Sequence, residues 1–209
     1  MTATSDAKCK LCRRAGKKLF LKGDKCNSPK CTLVSRNYPP GLHGTKKQRG
    51  KASQYSVQLA EKQKAKRMYG MREKQFRLMF EKAGRKGDAG EHLLQMLETR
   101  FDNVIFRLGL GRSRAEARQM VSHGMFTINN KLVDIPSYQV KTGDLIAIKK
   151  NKRQKKVFTN LAEKLKRVQA PGWLNFNLSE LEGKVLHAPT NDDVDKSINI
   201  AAIVEFYSK

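Results

Sequence analysis

The chain has 209 residues, enough for one sizeable core or two modest domains, and sets 43 Lys plus Arg against 19 Asp plus Glu, a formal +24. Self-repulsion at that charge opposes compaction unless a polyanion neutralises it, so nucleic acid is the first partner implied and an anionic membrane the second. No apolar run approaches the ~20 residues that span a bilayer, and the opening MTATSDAKCK predicts no secretion signal.

The first stretch, 1–51, lacks helix or strand periodicity but contains all four cysteines, as Cys9-x2-Cys12-x13-Cys26-x4-Cys31. Two close pairs across a loop would suit a disulfide pair or a metal, and the missing export signal favours reduced thiols and a metal. Four thiolates can close a tetrahedral zinc shell, which makes a structural Zn(2+) the expectation, with an iron–sulfur cluster as the other metal reading. Lys8, Lys10, Arg13 and Arg14 would offset the thiolate charge. From Lys8 to Lys51 there are 14 basic residues and one acid, Asp24. Pro39-Pro40-Gly41 cannot continue a helix, and His43 lies in the loop that follows. Lys46, Lys47, Arg49 and Lys51 then form a dense basic patch, suited either to phosphate contact or to a solvated linker.

Helical patterning begins at Ser53. Tyr55 and Leu59 share a predicted face, and Gly70 ends that helix. Phe76, Met79, Phe80 and Ala83 form the stripe of a second, closed by Gly84. Asp88 can cap a third, in which Leu93, Leu94, Leu97, Phe101, Val104, Ile105 and Leu108 give one continuous buried face. Gly109 and Gly111 allow a change of direction.

Arg112 to Ile148 reads as a compact module. Ser113 with Glu116 three residues on is a capping box. Ala117, Met120 and Val121 fall on one side of the helix, while Arg114, Arg118 and Ser122 line another. Gly124 suits the position just past its end. Phe126–Ile128 and Leu132-Val133 flank Asn129-Asn130, a pair that tolerates the left-handed region of a tight hairpin. Leu145–Ile148 supplies another strand. Guanidiniums carried outward on a small packed module can grip phosphates bidentately; solvated helix surface is the alternative.

Lys149 to Arg167 adds nine basic residues against Glu163 alone, and is expected to begin loose and join a helix through Leu161 and Leu165. Trp173, Leu174, Phe176 and Leu178 return to a core, and Val185-Leu186 reads as a short strand. The terminal Ile200, Ile203, Val204, Phe206 and Tyr207 should pack on the earlier helices. That predicts an α+β chain with a central module inserted in a helical domain. The sequence contains no Walker loop, no dinucleotide glycine fingerprint and no HExxH helix, and Asp192, Asp193 and Asp195 read as a solvated acidic loop rather than a cation site.

Taken in order, YPPGLHG at 38–44, EKQKAKRMYG at 61–70, ETRFDNVIFRLG at 98–109, SRAEARQMVSHG at 113–124, IPSYQVKTGD at 135–144 and the final IVEFYSK resemble the family of bacterial small-subunit ribosomal protein four. The similarity runs from Cys9 to Lys209, and the four cysteines fit its zinc-knuckle variant. The fold this implies is a zinc knuckle with a basic extended arm (1–51), a helical domain (52–99 plus about 190–209), and an S-four-type RNA-binding domain of helices on a small, mostly antiparallel sheet (about 100–189). The resemblance implies no enzyme. It implies a primary binder of the 16S rRNA 5′ domain that nucleates small-subunit assembly and contributes to translational accuracy. Implied partners are 16S rRNA, entering messenger RNA, ribosomal protein five and neighbouring ribosomal proteins, without membrane or self-association, in the cytoplasmic small subunit. An RNA-modifying enzyme or tRNA-associated factor with the same module is the alternative. The expected RNA-binding residues are Arg13, Arg14, Tyr38, His43, Lys46, Lys47, Arg49, Lys51, Arg112, Arg114, Arg118 and Lys131, with Cys9, Cys12, Cys26 and Cys31 as ligands to one zinc. Asn130-Lys131-Leu132 departs from the family's usual glycine-and-basic turn.

Overall fold

A computed structural model describes residues 7–45, 52–85, 87–159, 161–166, 170–190, 193, 195 and 197–208. In chain order it holds α1 (Lys8–Ala15), α2 (Asp24–Asn27), α3 (Thr32–Ser35), α4 (Gln54–Met68), α5 (Glu73–Gly84), α6 (Ala89–Glu98), α7 (Phe101–Arg107) and α8 (Arg114–Ser122). There follow β1 (Phe126–Ile128), β2 (Lys131–Leu132), β3 (Leu145–Ile148), two 3-10 turns, α9 (Leu161–Lys166), β4 (Leu174–Asn177), β5 (Glu182–Val185) and α10 (Ile200–Tyr207). The chain forms two compact units, one of Met1–Gly90 with Asp195–Lys209, the other of Glu91–Val194.

In the first unit Ser53 caps α4, its side chain accepting the Ser56 N–H at 3.3 Å. The face that α4 buries is not the one led by Tyr55, which is 58% exposed, but Gln58, Lys62, Ala65 and Met68. Polar residues go inside there because α10 supplies partners. Gln58 donates to Glu205 at 2.7 Å, and the Lys62 ammonium lies 4.4 Å from the Phe206 ring centre. Close packing of α10 also explains Gly90, where a Cβ would meet the Ile200 side chain at 2.8 Å.

The N-terminal part of this unit corrects the zinc-knuckle expectation. Among the described residues no group of three or more His, Cys, Asp or Glu is arranged to hold a metal ion, and the four cysteines are free thiols. Three short helices lie there instead, with Leu11 and Leu19 buried and Cys12, Cys26 and Cys31 buried as small apolar side chains. Sequence spacing reports that cysteines recur in pairs; it does not report where the sulfurs point. The fold class is therefore a helical unit plus a sheet-and-helix unit, without a knuckle.

In the second unit the sheet has the order β2-β1-β3-β5-β4, every pair antiparallel. Asn129 (φ 48°) and Asn130 (φ 64°) both take the left-handed conformation, the mirror-image turn that matches strand twist. Phe126, Ile128, Ile146 and Ile148 turn one face of the sheet toward Phe101, Val104, Ile105 and Leu108 of the α7 segment and Ala117, Met120 and Val121 of α8. Trp173, fully buried, and Leu174 complete that core, while Leu178 stays 42% exposed. The apolar stripe from Leu93 to Leu108 is buried as its periodicity predicts, but it spans two helices. Thr99 and Arg100 break it, and the first amides of α7 donate to backbone carbonyls of a crossing segment, Phe101 to Tyr138 at 2.8 Å and Asp102 to Pro136 at 3.1 Å.

Candidate nucleic-acid interface

The N-terminal end of α8 gathers a set of guanidiniums. Ser113 accepts the Glu116 N–H at 3.3 Å, which makes it the N-cap. The return half of the capping box is redirected: the Glu116 carboxylate accepts the backbone N–H of Arg112 at 2.7 Å, and the Arg112 side chain as well, at 2.8 Å from Nη2 and 3.1 Å from Nε. One acid thus holds both main chain and side chain of Arg112, whose side chain is 63% exposed.

Arg114 and Arg118, one turn apart, reach back to successive residues of α7. Arg114 Nε donates to Asn103 Oδ1 at 2.8 Å, and its guanidinium lies 4.6 Å from the Phe106 ring centre. Arg118 donates through Nε and Nη2 to Asp102 Oδ2, at 2.7 and 2.5 Å. Asp102 also receives Arg100, two bonds of 3.2 Å. Asn103 in turn donates to the Glu98 carboxylate at 2.8 Å and the Glu98 carbonyl at 2.9 Å, and Glu98 takes a fork from Arg107 at 2.9 and 2.7 Å. The acids lie inside, Glu98 0% and Asp102 4% exposed in their side chains, while Arg118 is 34% exposed. Five guanidiniums against three carboxylates leave an excess of positive charge on a rigid support.

The other expected contact residues are dispersed. Lys131 is exposed in the β1–β2 hairpin of the same unit. Arg13, in the first unit, is committed to the loop after α3, donating to the carbonyls of Tyr38 at 2.9 Å and Pro39 at 3.1 Å with its guanidinium 4.6 Å from the Tyr38 ring centre. Arg14 and His43 are exposed. Lys46, Lys47, Arg49 and Lys51 lie outside the described residues. A strip missed as a site follows β3: Lys150 and Lys155 face solvent on turns that Arg153 ties down by donating to the Ile148 and Glu180 carbonyls at 3.2 and 3.3 Å. The buried acids behind α8 were missed too. Their signal was present in the interleaving of Glu98, Asp102 and Glu116 with five arginines between residues 98 and 118.

Cys9, Cys12, Cys26 and Cys31, expected as zinc ligands, line one small recess without forming a ligand set. Burial, with the neighbouring Cys26, Cys9 and Cys31 adding to it, pushes the Cys12 thiol above its ordinary range. Cys26 Sγ accepts the Lys22 N–H at 3.3 Å. The residues present do not fit a structural zinc or an iron–sulfur cluster, and none enters the account below.

A basic α+β chain with a guanidinium cluster on a small antiparallel module has the form of an RNA-binding protein, and comparison with known proteins makes the class specific. Residues 4–98 match the family described as ribosomal protein S4/S9 N-terminal domain, and residues 99–146 match the S4 domain. The small ribosomal subunit protein uS4A of Alkaliphilus metalliredigens is 51% identical over 210 residues, covering all of both chains. The uS4 proteins of Clostridioides difficile, 50% identical over 210 residues, and Acetivibrio thermocellus, 51% over 211, also align over the full length of both chains. The chain belongs to the uS4 family of small-ribosomal-subunit proteins. Its role is structural and RNA-binding within the small ribosomal subunit, with ribosomal RNA and the ribosomal complex as its partners. Among the described residues no helix is long and apolar enough to cross a membrane.

Proposed function

We propose that the α8 end of the second unit is a principal rRNA grip, with Arg112, Arg114 and Arg118 on phosphates and Lys131 an adjacent, weaker contact. The observation that carries this reading is that Glu98 and Asp102 are buried while Arg112 stays exposed and Arg118 partly so, which presents forked donors to a polyanion. Arg14 and His43 are exposed and chemically suited to further phosphate contact. Arg13 and Tyr38, stacked on each other, are better read as shaping the loop that presents His43. Lys46, Lys47, Arg49 and Lys51 supply sequence-independent backbone contacts on the same reading.

Family kinship supports finer partners: the folded 5′ domain of 16S rRNA, bound early so that subunit assembly nucleates on it, together with entering messenger RNA and ribosomal protein five. On this reading residues 91–194 are the RNA-binding domain, and the remainder of the chain carries contacts to neighbouring components. Titration against a folded 16S 5′-domain fragment and against an unrelated duplex tests the specific part. Tight, salt-sensitive binding with preference for the fragment supports it. Equal affinity for both RNAs refutes it.

A further inference from the structure

Three carboxylates beside an RNA grip are, by charge alone, a disadvantage, since each repels phosphate. Their placement shows what they return. Asp102 and Asn103 are consecutive residues of α7, almost wholly buried, and each takes one arginine of α8 by its Nε. Glu116 does the same for Arg112 while also holding its backbone. Gripping a planar guanidinium at its Nε edge fixes the plane of the whole group. Asn103 is itself held by Glu98, so the support extends into the core.

We propose that Asp102, Asn103 and Glu116 are positioning residues for RNA recognition, which touch no phosphate themselves but set the planes of Arg118, Arg114 and Arg112 before RNA arrives. Arginine is a flexible side chain, and ordering it at the moment of binding costs rotamer entropy. Here that cost is met on folding, as in any pre-organised interface. The inference rests on the reading that the α8 arginines contact rRNA.

The two explanations differ in sign. Asp102→Asn and Glu116→Gln each remove one negative charge at almost constant shape. If the local charge were all that mattered, either change would tighten RNA binding and steepen its salt dependence. Positioning predicts weaker binding, by roughly fivefold, the low end for loss of one aimed arginine contact, with no steepening. Asp102 is buried between two arginines, so its variant also loses stability. Glu116→Gln therefore carries the decision, because Gln also serves at the third helical position of a capping box and the site is at the surface. The experiment titrates the full-length chain, Glu116→Gln and Arg112→Ala against the folded 16S 5′-domain fragment at several salt concentrations, with melting curves for each. Weaker binding by Glu116→Gln at unchanged melting supports the inference. Equal or tighter binding by Glu116→Gln while Arg112→Ala binds weakly overturns it. Unchanged binding by Arg112→Ala overturns the underlying reading of the grip, and the positioning role with it.

Discussion

The two units pair cations with acids in opposite senses. On α4 of the first unit the lysines are inside: Lys62, Lys64 and Lys66 side chains are 7, 4 and 16% exposed, and the acid that joins two of them, Glu73, is 45% exposed. Around α8 the acids Glu98 and Asp102 are inside, and Arg112 and Arg118 look out. An inward ammonium fastens helices together. Lys64 donates to the Ser197 carbonyl at 2.6 Å and Lys62 to Glu73 at 2.7 Å, below the aromatic rings of α10. An inward carboxylate, by contrast, braces a cation that remains available to the surface. A formal +24 therefore overstates the nucleic-acid surface, because part of it is committed to the fold.

Breaking the inward acids should have the largest effect on stability. Glu98→Ala removes the carboxylate that takes the Arg107 fork and one of the two bonds of the Asn103 amide, and removing one member of a buried pair costs about 3 kcal/mol or more. Urea denaturation should show that loss as a lower midpoint. Lys62→Ala, on the other side of the comparison, should cost about 2 kcal/mol through its lost stem packing and ion pair, yet leave RNA affinity within about twofold.

A pH experiment isolates the same latch. Burial works to raise the Glu73 carboxyl, but hydrogen bonds from Lys62 and Lys66 outweigh it and hold it at about 2, below its ordinary 4.5. The stabilisation is then fully present above pH 4.5 and lost as pH falls toward 2. Because Glu73 is half exposed, that loss should be no more than about 1 kcal/mol, and Glu73→Gln should remove it from the pH profile. Tyr207, whose hydroxyl donates to Glu73 at 3.1 Å, is pushed up by burial and by that carboxylate, so it does not titrate in the same window. Arg112→Ala should change stability least, by about 0.5 kcal/mol or less, since its pair with Glu116 is at the surface.

Local chemistry was legible in the sequence wherever it decides the structure. Ser53 and Ser113 cap their helices, Asn129-Asn130 turns the hairpin, Gly124 (φ 59°) ends α8, and the stripe from Leu93 to Leu108 is buried. What was not legible depends on neighbours distant in sequence. The buried face of α4 is polar because α10 and Glu73 of α5 supply its partners. The break at Thr99–Arg100 follows from a crossing backbone at 136–140. Four cysteines can recur with metal-like spacing and still pack as thiols. Arg118 illustrates the candidate site: sequence placed it on the outer face of α8 with Arg114, but not that a buried Asp102 holds it. Arg118→Ala should for that reason lower stability as well as binding, which makes Arg112 and Arg114 the cleaner probes.

The central claim is that outward guanidiniums on α8 grip ribosomal RNA, and the most direct test is a salt titration of Arg112→Ala/Arg114→Ala beside the unaltered chain on the folded 16S 5′-domain fragment. Arg114 Nε donates to a neutral amide, Asn103, and the acid paired with Arg112, Glu116, is partly exposed. The account predicts at least a tenfold loss of affinity, about 1.4 kcal/mol, a salt slope shallower by about two phosphate contacts, and a melting transition within a few degrees of the parent. Undiminished affinity and an unchanged slope, in a variant that folds normally, would contradict it.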